Sequence, residues 1–220
     1  MVVFRDMGRI TTSVCKLCRR EGVKLFLKGT RCESAKCAIE RRNKAPGMHG
    51  ARRSKPSEYG TRLREKQKLK RFSGLLDRQF ARNFAEASRA TGNTGEQLLS
   101  LMERRLDNVV YRLGWAPSRA TARQIVGHGH LTVNGKHCDI PSRVLSPGDV
   151  VEVKNREHSL KIVRGYLSDW EKRPVAAFLE RQGSDSDAPR GLLTRVPGRT
   201  DVDPNIDQLR EQLIIEFCSR

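Results

Sequence analysis

The stretch ERRLDNVVYRLGWAPSRATARQIVGHGHLTVNGKHCDIPSRVLSPGDVVEV, residues 103–153, changes its hydrophobic period part-way through. Leu99, Met102, Leu106, Val109 and Leu113 step by three and four, which predicts one helix ending at Gly114. Pro117-Ser118 then offers a fresh start, with Ser118 as N-cap of a short helix over 119–126. That helix is expected to turn Ala120, Gln124 and Ala122 toward the body. Arg119 and Arg123, four apart, should then share one face. After Gly127-His128-Gly129 the pattern shortens. His130-Leu131-Thr132-Val133 and Lys136-His137-Cys138 flank Asn134-Gly135, a pair that suits the positive φ angles of a two-residue hairpin. Pro147-Gly148-Asp149 makes another turn before the apolar run 150–153, which reads as a strand. Two helices and a small antiparallel sheet result.

Upstream of this stretch the chain is strongly basic. Its 220 residues carry 43 Lys and Arg against 25 Asp and Glu, a net charge of +18. Residues 1–80 hold 22 and 7 of these, a net of +15, so the remainder contributes only +3. Such charge asks for a polyanion, and nucleic acid leads, because bound phosphates release condensed counterions. A basic run taken alone is often a disordered arm. Here cysteines at metal spacing and helical periodicity within the run argue for a folded platform. No run of 18 apolar residues occurs, so no membrane span is expected, and residues 1–9 lack the apolar core of a secretory signal.

Cys15 and Cys18, then Cys32 and Cys37, form a C-x2-C pair and a C-x4-C pair. Two thiolate pairs on tight turns can close a tetrahedron around one structural zinc ion, which would substitute for a core in this apolar-poor segment. Disulfides would suit a secreted chain, and a catalytic zinc would need an open position that four thiolates do not leave. Cys138 and Cys218 read as ordinary buried thiols. His128, His130 and His137 beside Cys138 could be imagined as a second metal site, but histidines flanking a hairpin are more often phosphate contacts or surface residues.

A basic loop around Arg41, Arg42, Arg52 and Arg53 leads to a helix over 59–72 decorated by Arg62, Arg64, Lys66, Lys68 and Lys70. A second amphipathic helix follows, with Leu76, Phe80, Phe84 and Ala87 as its stripe. The turn cluster at 91–95 marks a boundary. Four segments follow: 1–40 with the cysteines, 41–95 as basic helices, 96–155 as the helix-and-sheet module, and 156–220 returning to the first domain. Residues 183–189 read as an exposed loop, and 209–218 as a closing helix or strand. The fold class is α+β, a helical basic domain with a compact module inserted.

Residues 103–153 resemble the S-four RNA-binding module. With APGMHG (45–50), TRLREKQKLKRFSG (61–74), the terminal LIIEFCSR and the cysteine quartet, nearly the whole chain resembles the bacterial small-subunit ribosomal protein S four family in its zinc-bearing variant. The resemblance implies a non-catalytic primary binder of small-subunit ribosomal RNA that nucleates assembly of the subunit body and contributes to translational accuracy. It implies contact with ribosomal protein S five and with mRNA near its entry path, one structural Zn2+, and a cytoplasmic location within the small subunit. It implies no membrane partner and no small-molecule substrate. By position, the module's RNA-facing candidates are Arg105, Asn108, Ser118, Arg119, Arg123, His128, His130, Asn134 and Lys136. The basic N-terminal surface maps to Arg41, Arg42, Arg52, Arg53, Arg62, Arg64, Lys66, Lys68 and Lys70. Two rival readings are weaker. The module also occurs on pseudouridine synthases, and Arg105-Leu106-Asp107 superficially resembles a catalytic-aspartate signature. Only about 65 residues follow the module, however, fewer than a typical catalytic domain. A zinc-containing DNA-binding regulator would need a recognition helix after the cysteines, and none is evident.

Overall fold

A computed structural model describes residues 10, 12–50, 55–170, 175–182, 188–206 and 208–219. The chain divides into two compact units, one of residues 1–98 and 204–220 and the other of residues 99–203.

The first unit is helical. Helix α1 (Val14–Glu21) and the single turn α2 (Ala38–Arg41) carry the cysteine segment. Helix α3 (Glu58–Phe72) starts where the Ser57 hydroxyl accepts the Gly60 N–H at 3.1 Å. It runs against α1 and against the closing helix α9 (Glu211–Cys218), with α4 (Asp77–Arg89) following it. Leu25, Leu69, Phe72, Leu75, Phe80, Ala87 and Ile214 form the buried apolar set. The 209–218 segment, ambiguous by period, is helical over most of its length.

The second unit holds the switch from helix to sheet. Helix α5 (Thr94–Glu103), inside which the division falls, is followed by α6 (Leu106–Arg112) and α7 (Arg119–Gly127). The single helix expected across 96–114 is therefore broken at Arg104-Arg105. Arg105 is extended (φ −63°, ψ 138°) because the chain here bridges to 143–145: Leu106 N–H donates to Arg143 O (2.8 Å) and Leu145 N–H to Arg104 O (3.0 Å). Hydrophobic spacing cannot register a break that keeps the apolar residues on one side. Helix α7 starts at Ser118 as expected, Thr121 N–H donating to its Oγ at 3.2 Å. Its inward face is Arg119, Ala122, Ile125 and Val126, whereas Ala120 and Gln124 are exposed, which corrects the orientation read from sequence.

Strands β1 (Leu131–Val133) and β2 (Lys136–His137) form the hairpin, with Asn134 at φ 52° and Gly135 at φ 74°. Helix α8 (Glu157–Trp170) follows β3 (Val150–Val153), and β4 (Leu179–Gln182) and β5 (Arg190–Leu193) complete an antiparallel sheet in the order β2-β1-β3-β5-β4. Leu131, Val133, Val151 and Val153 point inward and Thr132 and Glu152 outward, as pleating requires. Trp115, Val163, Phe178 and Leu193 join them in one core. Gly191 lets Leu113 approach so closely that an added Cβ would lie 2.4 Å from its Cδ1. Helix α8, β4 and β5 thus belong to the second unit's own sheet and core, and of 156–220 only 204–220 fall in the first unit. This corrects the expectation that all of 156–220 packs back on the first domain. Of the loop expected at 183–189, residues 183–187 lie outside the described residues. Among the described residues no helix is long and apolar enough to cross a membrane.

Candidate nucleic-acid interface and cysteine cluster

Helix α1 presents Cys15 and Cys18, Cys32 closes a 3-10 turn (Gly29–Cys32), and Cys37 precedes α2. All four line one cavity of about 20 Å³ together with Lys28, Arg31, Ala38 and Ile39. That space suits a single ion or water. The Lys28 N–H donates to Cys32 Sγ at 3.4 Å, the kind of bond that steadies a thiolate. Burial pushes the Cys18 and Cys32 thiols up, and the neighbouring cysteines push the same way, although backbone N–H donors at Leu25 and Lys28 oppose them. All six cysteines are free thiols. Among the described residues no group of three or more His, Cys, Asp or Glu side chains stands at metal-holding separation, so the quartet shares a cavity without ligand geometry. By donor type and number it fits a closed four-thiolate site.

The basic helix α3 is not a solvated face. Arg62 binds Glu216 (2.8 Å) and Glu58 (3.4 Å), Arg64 binds Glu21 (3.1 Å), and Arg71 binds the same Glu21 oxygen. Lys68 pairs with Glu65 and Lys70 with Asp77 (2.8 Å). Lys66 lies over the Phe80 and Phe217 rings at 5.8 and 5.0 Å. Cations expected to meet RNA here join elements of the unit together. Exposed cations lie elsewhere, among them Arg31 and Lys36 between the cysteines, Arg41, Arg42 and Lys44 after them, Lys55, and Arg78, Arg82 and Arg89 on α4. Arg19 donates to Lys44 O (2.8 Å) and Arg20 to Pro46 O (3.4 Å), so α1 fixes the 41–46 loop. Arg52 and Arg53 lie outside the described residues. The α4 arginines were missed, though the signal was present: they occupy the face opposite Phe80 and Ala87.

In the second unit several RNA-facing candidates turn inward. Arg105 and Arg119 are 3% and 9% exposed, and Asn108 and Ser118 are also buried. Arg105 forks onto both Asp107 oxygens (3.1 and 2.7 Å), and Arg123 reaches Asp107 at 3.3 Å. Arg119 donates to Asn108 Oδ1 and Asp203 Oδ2, both at 2.8 Å, and stacks on Tyr111 at 4.4 Å. Asn108 in turn donates to Glu103 Oε2 at 2.7 Å. Burial would depress Arg119, but Asp203, Tyr111 and Glu103 more than offset this and raise it; burial pushes the Glu103 carboxyl up against the pull of Arg112 and Arg119. The reason for the inward turn is chemical. Asp107, Glu103 and Asp203 are buried carboxylates, and a buried charge needs a paired partner. Arg119→Ala is therefore expected to damage the fold, not to leave it intact as a surface contact would. Asn134 is exposed, yet its amide donates to Asp149 (2.7 Å) and accepts from Val150 N–H (2.8 Å), pinning the hairpin. Lys136 and His128 are exposed, and His130 is half-buried beside them.

Residues 9–103 match the Ribosomal protein S4/S9 N-terminal domain, and residues 104–151 match the S4 domain. The join between the two matches coincides with the end of α5. The small ribosomal subunit protein uS4 of Dictyoglomus turgidum is 54% identical over 214 residues, covering 97% of this chain and all of that protein. The chain belongs to the uS4 family. A second uS4, from Thermus thermophilus, is 50% identical over 215 residues with the same coverage. The uS4 match spans both units, so the inward ion network and the exposed cations sit on one family scaffold.

Proposed function

We infer that this chain is a structural, ribosomal-RNA-binding constituent of the small ribosomal subunit. Full-length identity to uS4 proteins carries the reading, and the net charge of +18 supplies the means. The finer reading is that it binds the RNA early, nucleates folding of the subunit body, and contributes to accuracy through ribosomal protein S five and the mRNA entry path, in the cytoplasm. It acts by shape and phosphate contact. Aromatics make up only 5% of the chain, too few for base stacking to dominate. Co-sedimentation of the chain with small subunits, and tight binding of small-subunit ribosomal RNA that weakens steeply with salt, are the expected results. A chain that stays free of ribosomes and ignores that RNA at moderate salt would contradict the reading.

Cys15, Cys18, Cys32 and Cys37 are proposed to hold one structural zinc ion. When bound, such an ion clamps α1, the 3-10 turn and α2 together and keeps the thiols ionised. Their shared cavity and the Lys28 N–H aimed at Cys32 Sγ support this, because a backbone donor steadies a ligating thiolate. Metal analysis of the purified chain should return one zinc per molecule. A metal-free chain with the same thermal stability as one supplied with zinc would refute it.

A further inference from the structure

Three imidazoles meet at one edge of the second unit. His128 follows α7, His130 precedes β1, and His158 sits in the first turn of α8. Ring centroids lie 6.1 Å apart for His128 and His130, and 5.6 Å apart for His130 and His158. A fourth, His137, covers Gly129 so closely that a Cβ there would lie 2.7 Å from its Cε1. His130 Nδ1 is engaged at 3.0 Å by the hydroxyl of buried Ser159, which fixes the ring and leaves Nε2 for a ligand. Lys154 closes the group, its N–H donating to His130 O at 2.9 Å.

We propose that His128, His130 and His158 form a proton-linked phosphate contact for RNA, so that binding takes up protons and tightens as pH falls. This rests on the RNA-binding reading above, which already faces His128 and His130 to RNA, and adds His158 and the proton linkage to it. The charged groups acting on His130 are His128, His158 and Lys154, all of one sign. His130 therefore resists protonation while no anion is present. A phosphodiester placed against it would reverse that preference, because each imidazolium then gains a counter-charge and a donor. Burial first, then the neighbouring cations, hold His130 below its ordinary value of 6.5, which is the direction this requires.

The sign differs between binding and stability. With His130 depressed in the folded chain, unfolding takes up a proton, so the free chain loses stability as pH falls through about 6.5 and below. RNA affinity should move the other way. The test is binding of in vitro transcribed small-subunit ribosomal RNA by the full chain at pH 5.5, 6.5 and 7.5 and constant ionic strength. The native chain, His130→Gln and His158→Gln are compared, with circular dichroism confirming the fold. His158 is exposed, so its replacement leaves the core untouched. The native chain should tighten about tenfold or more from pH 7.5 to 5.5, since each proton taken up gives a tenfold change per pH unit. Each variant should reduce that gain to roughly threefold or less. Variants that retain the native pH dependence, or a native chain whose affinity is flat with pH, would overturn the proposal. A native chain that binds at no pH would overturn the RNA-binding reading with it.

Discussion

The two units handle positive charge in opposite ways. The second unit buries it: Arg105 and Arg119 are enclosed, Arg112 and Arg123 lie close beside them, and all four meet Glu103, Asp107 or Asp203 beside a continuous apolar core. In the first unit the apolar set is thinner, α3 cations are tied to carboxylates and rings, and the loop after the cysteines and the outer face of α4 are left cationic. Equal residue types thus do different work, and burial, not identity, decides which arginine is available to a phosphate. The units also differ in what supports them. One has a packed sheet, whereas the cysteine segment of the other has four thiols around a small cavity.

The largest effect should come from the thiols. Cys18→Ser with Cys32→Ser, or a strong chelator, should unfold the cysteine segment, given apparent zinc contributions of about 10–16 kcal/mol in small motifs. Limited proteolysis within residues 14–41 reads this out, and a protected segment would break the contrast between the units. Next is Arg119→Ala, expected to cost about 3–5 kcal/mol because buried Asn108 and Asp203 lose their 2.8 Å bonds to it, leaving Asp203 with Arg112 at 3.8 Å. Urea unfolding measures it, and a loss below about 1 kcal/mol would place Arg119 with the surface charges. A smaller effect is expected in acid. The Arg195 hydrogen bonds hold Asp201 below its ordinary value of 3.8, so its contribution is present above that pH and is lost as pH falls further. Melting of the native chain should therefore fall more steeply below pH 4 than that of Arg195→Ala, and equal slopes would remove Asp201 from the account.

Much of this was legible in sequence, and the failures share a cause. The α7 cap at Ser118, the Asn134-Gly135 hairpin and β3 follow from local chemistry, which a sequence displays. The break at Arg105 was hidden because it depends on pairing with residues 143–145, a contact no local period encodes. Likewise, the burial of Arg119 was hidden because its partner Asp203 lies 84 residues away. The ion pairs of Arg62 and Arg64 were hidden for the same reason: Glu216 and Glu21 are distant in sequence. Arg78 and Arg82 were visible all along as the polar side of an amphipathic helix, but a denser basic run upstream drew the reading away from them.

The central claim is that exposed cations of the first unit hold RNA phosphates while the inward arginines of the second hold the fold. The salt dependence of small-subunit ribosomal RNA binding by the full chain tests it most directly. Replacing Arg41, Arg42, Arg78 and Arg82 together by Ala should lower the slope of log K against log salt by up to about 0.7–0.9 for each phosphate no longer neutralised. Urea stability should stay within about 0.5 kcal/mol of the native value. An unchanged slope with unchanged affinity would contradict the claim.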